Sequence, residues 1–597
     1  MALNRRNFLK QGVGVAASLG TLNASGESAL TSSEEQSQRK HPCTELPRQG
    51  PKPVVRGKSA VVSTQHPIVT QTMLEVLKSG GNAVDATVAG AITQATIQLD
   101  VSNLTAAVEF LYWEAKTGKT YQLNSVGTLV PYLPPCRPYP PGLDALADGT
   151  ACIPGFMPGM EAIHARFGTK PWRSLVEYAI PWAEEGYPVD SVAYADLYWE
   201  LQGNTFFPSM REIYAPDGFS PAVGELWKNP KVAKTLRRLA EEGPEYFTKG
   251  EWARNFVNLA HQIGWNIGLE DLSNNPPRWQ DPIRYKHRDY EIAQLAPPER
   301  QGVYCGIVLG ILKHLDVVSL GHYTESAEAL YYIAHAMRRA DFEAGMVRDP
   351  KFFGVPVDVW LADDFHAHLA QIIRSTRPKP GFDLTQHVEL TSGKADLRAF
   401  GWSSSGPNPQ PKKSAGSCEI SCVDADGNWV QMMHTLNSGG IPGMAVDGVP
   451  MFGTGAEFDM KNTQEGWLGL PGSRIRNPLG STMVFKNGKP FLSLGSPGHV
   501  ECTVPLMLSN ILDYGKDPYD AAVLPRLLPM RDDYTIEIET RIPEHVLRDL
   551  MKLGAKLKPL PPYDFHMGSY QQAWRDGDTG LLSASTDPRR GGQAGGL

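Results

Sequence analysis

Polar and apolar positions follow two periods along this chain, and the two are largely segregated in order. From Gln65 to Ser79 apolar residues recur every three or four positions, the spacing of one helix face. Gly80-Gly81 supplies a helix-ending signal, and Asn82-Ala83-Val84-Asp85-Ala86 opens a second helix with Asn82 and Asp85 as caps and packing anchors. Ile153-Pro154-Gly155 predicts a helix through Phe167, Pro171-Trp172 another through Glu185, and Glu325 to Phe342 a long amphipathic one. Strand-like runs come in pairs around tight turns. Phe110–Trp113 and Thr120–Leu123 straddle Lys116-Thr117-Gly118, and Ser481–Lys486 and Pro490–Leu494 flank Asn487-Gly488. Two more short runs flank Asp426-Gly427. Glycine accepts the positive φ that such turns demand. Helices lead and hairpins follow, and periodicity by itself predicts a mixed α and β protein.

The stretch from Gly416 to Asn437 carries the candidate chemistry. Ser417 follows a glycine and begins a strand-like run. If the peptide bond before it were cut, Ser417 would hold a nucleophilic hydroxyl and a free α-amine able to act as its base. An α-amine titrates near ~7.7–8.0, so much of it is neutral at mildly alkaline pH. Residues 403–416 are rich in Ser, Gly, Pro and Lys and predict an exposed loop just before this point. Gly-Ser before a strand is ordinarily no more than a loop end, so the rest of the segment decides. Cys418 is a rival nucleophile, with Ser417 preferred because only it would carry the amine.

The whole segment resembles that of the γ-glutamyltransferase family, N-terminal-nucleophile hydrolases whose precursors cleave themselves before a Thr. Val423-Asp424, Asp426-Gly427-Asn428 and Thr435-Leu436-Asn437 match the family pattern, and Ser417 stands at the nucleophile position. Gly80-Gly81-Asn82-Ala83-Val84-Asp85-Ala86, Ala183 to Val189 and Asp587-Pro588-Arg589-Arg590-Gly591-Gly592 resemble further family signatures. The resemblance implies an α+β fold, a four-layer αββα sandwich. It implies cleavage between Gly416 and Ser417, with Thr435 hydrogen-bonding the catalytic Ser417. Gly498 and His499 would offer backbone N–H groups as the oxyanion hole. Asn437, Glu457 and Ser481 would contact substrate. No metal or organic cofactor is implied, and the partners implied are a small-molecule amide substrate and two subunits from one precursor.

The sequence departs from the family where γ-glutamyl groups are bound. An Arg that clamps the α-carboxylate has no counterpart in Leu123 to Pro131, and one of a serine pair is Gly480. Neither Val nor Gly can supply a bidentate carboxylate clamp. The substrate expected is therefore an amide other than glutathione. Arg474 and Arg476 could bind an acid group from another direction, with surface charges as the plainer reading. The alternatives to a self-processing hydrolase or acyltransferase are an unprocessed pseudoenzyme acting as a binding protein, and a biosynthetic acyl-transfer or cyclisation enzyme.

Composition narrows the setting. The 597 residues carry 57 basic and 64 acidic side chains, which gives no support for nucleic-acid binding. No run reaches the ~18 apolar residues of a membrane helix. Seven cysteines fit no zinc spacing. Cys418 and Cys422 on one strand would be too far apart to bridge. Asn4-Arg5-Arg6-Asn7-Phe8-Leu9-Lys10 before a weakly apolar run reads as a twin-arginine export signal. The expected organisation is a signal over 1–26, a linker over 27–57, a large subunit over 58–416 and a small subunit over 417–597, periplasmic or secreted.

Overall fold

A computed structural model describes residues 49–129, 151–195, 197, 205–376, 416–436, 439–453, 470, 472–475, 479–498, 500–530, 535–577 and 579–597. All of them fall within one unit, Glu45–Leu597. Among the described residues no helix is long and apolar enough to cross a membrane.

Two antiparallel sheets, each of seven described strands, form the centre. The first runs, in spatial order, β1 (Val55–Gly57), β13 (Leu582–Thr586), β12 (Gln571–Arg575), β11 (Lys489–Gly495), β10 (Thr482–Lys486), β7 (Tyr290–Gln294) and β6 (Ile283–His287). The second runs β14 (Gln593–Gly596), β2 (Val61–Thr64), β8 (Cys418–Val423), β9 (Trp429–Thr435), β3 (Ala107–Glu114), β4 (Lys119–Ser125) and β5 (Arg278–Gln280). Their inner faces meet: Leu111, Val423, Trp429 and Met433 of the second sheet share one core with Ala293, Met483, Ala573 and Ala584 of the first. Helices α1 (Pro67–Lys78) and α2 (Ala83–Ile97) cover the second sheet. The first is covered by α4 (Gln301–Leu315) and α6 (Val500–Leu512), with α5 (Ala327–Ala344) packed behind α4. This is the four-layer αββα sandwich that the resemblance implies, and each sheet needs a helix layer because its outer face is largely apolar.

Local chemistry explains the elements. Asn82 caps α2 by accepting the Asp85 N–H at 2.9 Å while Asp85 accepts the Asn82 N–H at 3.0 Å, a reciprocal capping box. Asp85 also accepts the Thr169 and Lys170 N–H groups at 2.8 and 3.1 Å, which ties α2 to the end of α3 (Phe156–Phe167). The β10–β11 turn has both Asn487 and Gly488 at positive φ, 52° and 76°, the left-handed pair that a two-residue hairpin requires.

Two elements differ from expectation. The helix expected from Trp172 to Glu185 is split into Trp172–Val176 and Ile180–Glu184, because Pro181 has no N–H to carry a continuous ladder. Ile153 begins no helix: Cys152–Ile153 pairs with Thr128–Leu129 as a short strand, and α3 starts at Phe156.

Candidate active site

β8 lies in the middle of the second sheet, between β2 and β9. Cys418 pairs with His434 in this register, so Ser417 stands opposite Thr435, and Thr435 in turn pairs with Ala107. Ser417 thus heads an inner strand, half-buried, at one end of the gap between the sheets. Alternation points Ser417, Glu419, Ser421 and Val423 into that gap, where Ser421 Oγ lies 2.9 Å from Ser493 Oγ of β11. The hairpin that follows is locked to α2. Asp424 accepts the Ala83 N–H at 2.8 Å and the Asn428 N–H at 2.9 Å.

The carbonyl of Gly416 gathers the hydroxyls. Ser417 Oγ donates to Gly416 O at 2.7 Å, and Thr435 Oγ1 donates to the same oxygen at 3.1 Å. Gly416 is buried, and a Cβ on it would lie 2.7 Å from Val101 Cγ1. Glycine here permits a close approach of backbone to the Val101 segment, whose carbonyl also accepts the Leu436 N–H at 3.2 Å. Two hydroxyl donors, one of them on Ser417 itself, therefore converge on one peptide carbonyl.

Gly498 sits just beyond β11, at φ +90°, where a side chain would be strained. A Cβ on it would come 2.8 Å from Gly568 Cα and 3.1 Å from Arg590 Nη2. The Gly568 turn is held by buried charges. Arg526 Nη1 donates to Met567 O at 2.7 Å, and Arg526 and Arg589 both pair with Asp587. Burial alone would push the Asp587 carboxyl up, but the two guanidiniums hold it below its ordinary value. A narrow cleft, with a volume of about 10 Å³, runs beside this end of the sandwich. Val101, which packs on Gly416, and Arg590, next to Gly498, both line it, together with Gln98 and Asp100.

Ser481 lies in the same gap, wholly buried at the start of β10. Its hydroxyl donates to Glu419 Oε1 at 3.1 Å, and Gln431 Nε2 donates to that oxygen at 2.6 Å. Burial pushes the Glu419 carboxyl well above its ordinary range. Sequence reasoning passed over Glu419 and Gln431. The signal that could have found them is the period-2 pattern of β8, which puts Glu419 on the face of Ser417.

The structure thus gathers Gly416, Ser417 and Thr435, but the Thr435 hydroxyl bonds the Gly416 carbonyl and not, as expected, Ser417, because that carbonyl lies between them; Ser481 and Gly498 stand at the ends of facing strands. Asn437, Glu457, His499 and Arg476 lie outside the described residues. Arg474 is no surface charge. It is 6% exposed and bridges Thr128, with Nη1 donating to Val126 O at 3.3 Å and Nη2 to Pro276 O at 2.5 Å. Burial lowers its pKa to about 10. The rival thiol, Cys418, is wholly buried on the opposite face of β8, and burial pushes it well up, away from the reactive thiolate. Cys418 and Cys422 are both free. Among the described residues no group of three or more His, Cys, Asp or Glu side chains could hold a metal ion.

Comparison with known proteins agrees with this architecture. The model of the gamma-glutamyltranspeptidase family matches residues 69–597. The glutathione hydrolase proenzyme of Bacillus subtilis (strain 168) is 26% identical over 570 residues, covering 91% of this chain and 92% of that protein. The acylase ACY 1 proenzyme of Pseudomonas sp. (strain V22) is 26% identical over 537 residues, covering 85% and 88%. Among solved structures, cephalosporin acylase from Bacillus halodurans superposes with a TM-score of 0.75 at 23% identity, covering 93% of this chain and 99% of that one. With the fold shared and nearly the whole chain matched, this protein belongs to the gamma-glutamyltranspeptidase family and is an amidohydrolase or acyltransferase.

Proposed function

We propose that the chain is a proenzyme that cleaves itself between Gly416 and Ser417 and then uses Ser417 to open an amide. The observation that carries this reading is the pair of hydroxyls on the Gly416 carbonyl, Ser417 Oγ at 2.7 Å and Thr435 Oγ1 at 3.1 Å. In the first reaction Ser417 Oγ attacks the Gly416 carbonyl carbon. The C–N bond breaks, the hydroxyl proton passes to the Ser417 nitrogen, and an ester remains. Thr435 donates to the oxygen as it gains charge. Water then hydrolyses the ester, leaving a carboxylate on Gly416 and an α-amine on Ser417.

The freed amine is the base for turnover. It takes the Ser417 proton as Oγ attacks the substrate carbonyl and hands it to the leaving nitrogen. Water or an acceptor amine resolves the acyl-serine. Gly498 with His499 supplies oxyanion N–H groups, and Asn437, Glu457 and Ser481 contact substrate. The acyl group is one other than γ-glutamyl. No Arg stands in the 123–131 stretch, and the Arg474 guanidinium opposite Thr128 already donates to two backbone carbonyls. That proenzymes with both glutathione hydrolase and acylase names are related to the chain is compatible with a shifted acyl preference.

The 1–26 segment would export the precursor by the twin-arginine route to the periplasm or beyond, the 27–57 linker would follow it, and 58–416 and 417–597 would be the two subunits. Denaturing electrophoresis with N-terminal sequencing tests the core of this. Wild type gives a fragment starting at Ser417, and Ser417→Ala gives one uncut chain. A split that persists in Ser417→Ala refutes the assignment. A panel of acyl anilides, read by acyl mass on the 417–597 fragment, identifies the substrate class.

A further inference from the structure

The row of inward side chains one step below Ser417 is acidic. β8 contributes Glu419, β9 contributes Met433 and β3 contributes Glu109, all wholly buried and paired across the sheet in that order. Glu419 Oε1 accepts from both Gln431 Nε2 and Ser481 Oγ, whereas Glu419 Oε2 and Gln431 Oε1 are buried without a partner. With an ionised carboxyl, both of these atoms are bare acceptors. The amide and the carboxyl meet through the 2.6 Å Nε2–Oε1 bond. One proton on Oε2 makes it a donor to Gln431 Oε1 and satisfies both atoms together.

The surroundings supply no counter-charge. On its own strand Glu419 shares a face with Ser417 and Ser421; β9 presents Gln431 and Met433. The facing sheet presents Ser481, Ser493 and Gly495, and a Cβ on Gly495 would fall 2.1 Å from Glu419 Oε1. The titratable groups around it are Glu109 beyond Met433, which has Arg474 as its own cation, and, on the other face, the Cys418 thiol, on which Arg590 acts. No Lys, Arg or His among the described residues pairs with Glu419, and burial favours its uncharged form.

We infer that Glu419 is held as a neutral carboxylic acid in a reciprocal pair with Gln431, and that its neutrality keeps the α-amine of Ser417 a free base. Resting on Ser417 as nucleophile, this deepens that reading. Two residues of strand put the carboxyl roughly 7 Å along the chain from Ser417 on the same face. An anion there would favour the ammonium form and raise the amine's pKa by about one unit or more. Glu419 acts through the amine rather than on substrate, and is a positioning residue.

Two measurements test it. In uncleavable Ser417→Ala protein, infrared spectra at pH 8 should show the carbonyl stretch of a protonated carboxyl that disappears on adding Glu419→Gln. Should that variant fail to fold, Gln431→Leu in the same background should shift the band by removing its acceptor. A spectrum unchanged by either substitution overturns the assignment, and this readout does not depend on Ser417 chemistry. In cleaved protein, phenylmethanesulfonyl fluoride serves as a probe. Ser417 Oγ forms the S–O bond, the S–F bond breaks, fluoride leaves and the proton passes to the amine. The pH midpoint of labelling, followed by the mass of the 417–597 fragment, should be the same in wild type and Glu419→Gln. A midpoint lower in the variant by about one unit or more means an anionic Glu419 and overturns the proposal. If wild type takes no sulfonyl group while the infrared band behaves as expected, the Ser417 reading fails and the neutral Glu419 stands.

Discussion

Thr435→Val separates the self-cleavage chemistry from the fold. The substitution keeps the shape and β-branch of the side chain on β9 and removes only the hydroxyl that reaches Gly416 O at 3.1 Å. In the folded precursor that bond is neutral and contributes about 0.5–1.5 kcal/mol, too little to unfold a domain of this size. During cleavage the same oxygen becomes an oxyanion. Losing a donor aimed at developing charge costs about 3–4 kcal/mol, or a rate lower by roughly 10²–10³-fold. The assay is cell-free synthesis of the precursor with a pulse of labelled amino acid, followed by denaturing electrophoresis for the 417–597 fragment. Thr435→Val should accumulate as full-length chain and cleave over hours or days, while Thr435→Ser should stay close to wild type. Cleavage of Thr435→Val within about threefold of wild type, under 1 kcal/mol of barrier, would refute the role given to Thr435.

Further outcomes follow from other contacts. Asp85→Ala strips acceptors from the N–H groups of Asn82, Thr169 and Lys170 and from the Thr169 hydroxyl, and should destabilise the Ser417→Ala precursor by about 3 kcal/mol or more in denaturant titration; a change below about 1 kcal/mol would contradict that accounting. The Glu419 carboxyl is raised in the fold, so the folded chain keeps a proton that the unfolded chain releases above its ordinary value of 4.5. Its contribution is therefore fully present below pH 4.5 and declines as pH rises towards the folded value. The stability of Glu419→Gln relative to the parent, both in the Ser417→Ala background, should increase as pH rises above 4.5, by up to about 1.4 kcal/mol per pH unit, and a difference independent of pH would remove the neutral acid. Arg5→Lys together with Arg6→Lys should hold the precursor inside a twin-arginine-competent bacterial host, as judged by cell fractionation; export at the wild-type level would show that the pair is no signal.

Much of this architecture could be read in one dimension. Turn residues placed the hairpins because a positive φ is a local demand: Gly427 and the Asn487-Gly488 pair adopt it at the positions where the sequence asks for it. The α2 cap at Asn82 and Asp85 was legible for the same reason, since both partners lie within one turn of helix. The nucleophile proposed at Ser417 rests on a contiguous motif, Gly416-Ser417 with Val423-Asp424 and Thr435 nearby in sequence. Where local signals competed, as at Pro181, the helix boundary moved.

Tertiary structure decided what surrounds that serine. Period-2 alternation says that Ser417, Glu419 and Ser421 share a face, but not that another sheet closes over it and leaves Glu419 dry. Whether Arg474 is a surface charge or a buried staple depends on Val126 and Pro276, 348 and 198 residues away in sequence, supplying their carbonyls. The approach of Val101 to Gly416, and of Gly568 to Gly498, likewise joins segments far apart in the chain. Backbone conformation is set by neighbours in sequence, and so the chain alone determines its turns, caps and strand faces. Dielectric environment and hydrogen-bond partners are set by neighbours in space, and only the closed sandwich fixes those.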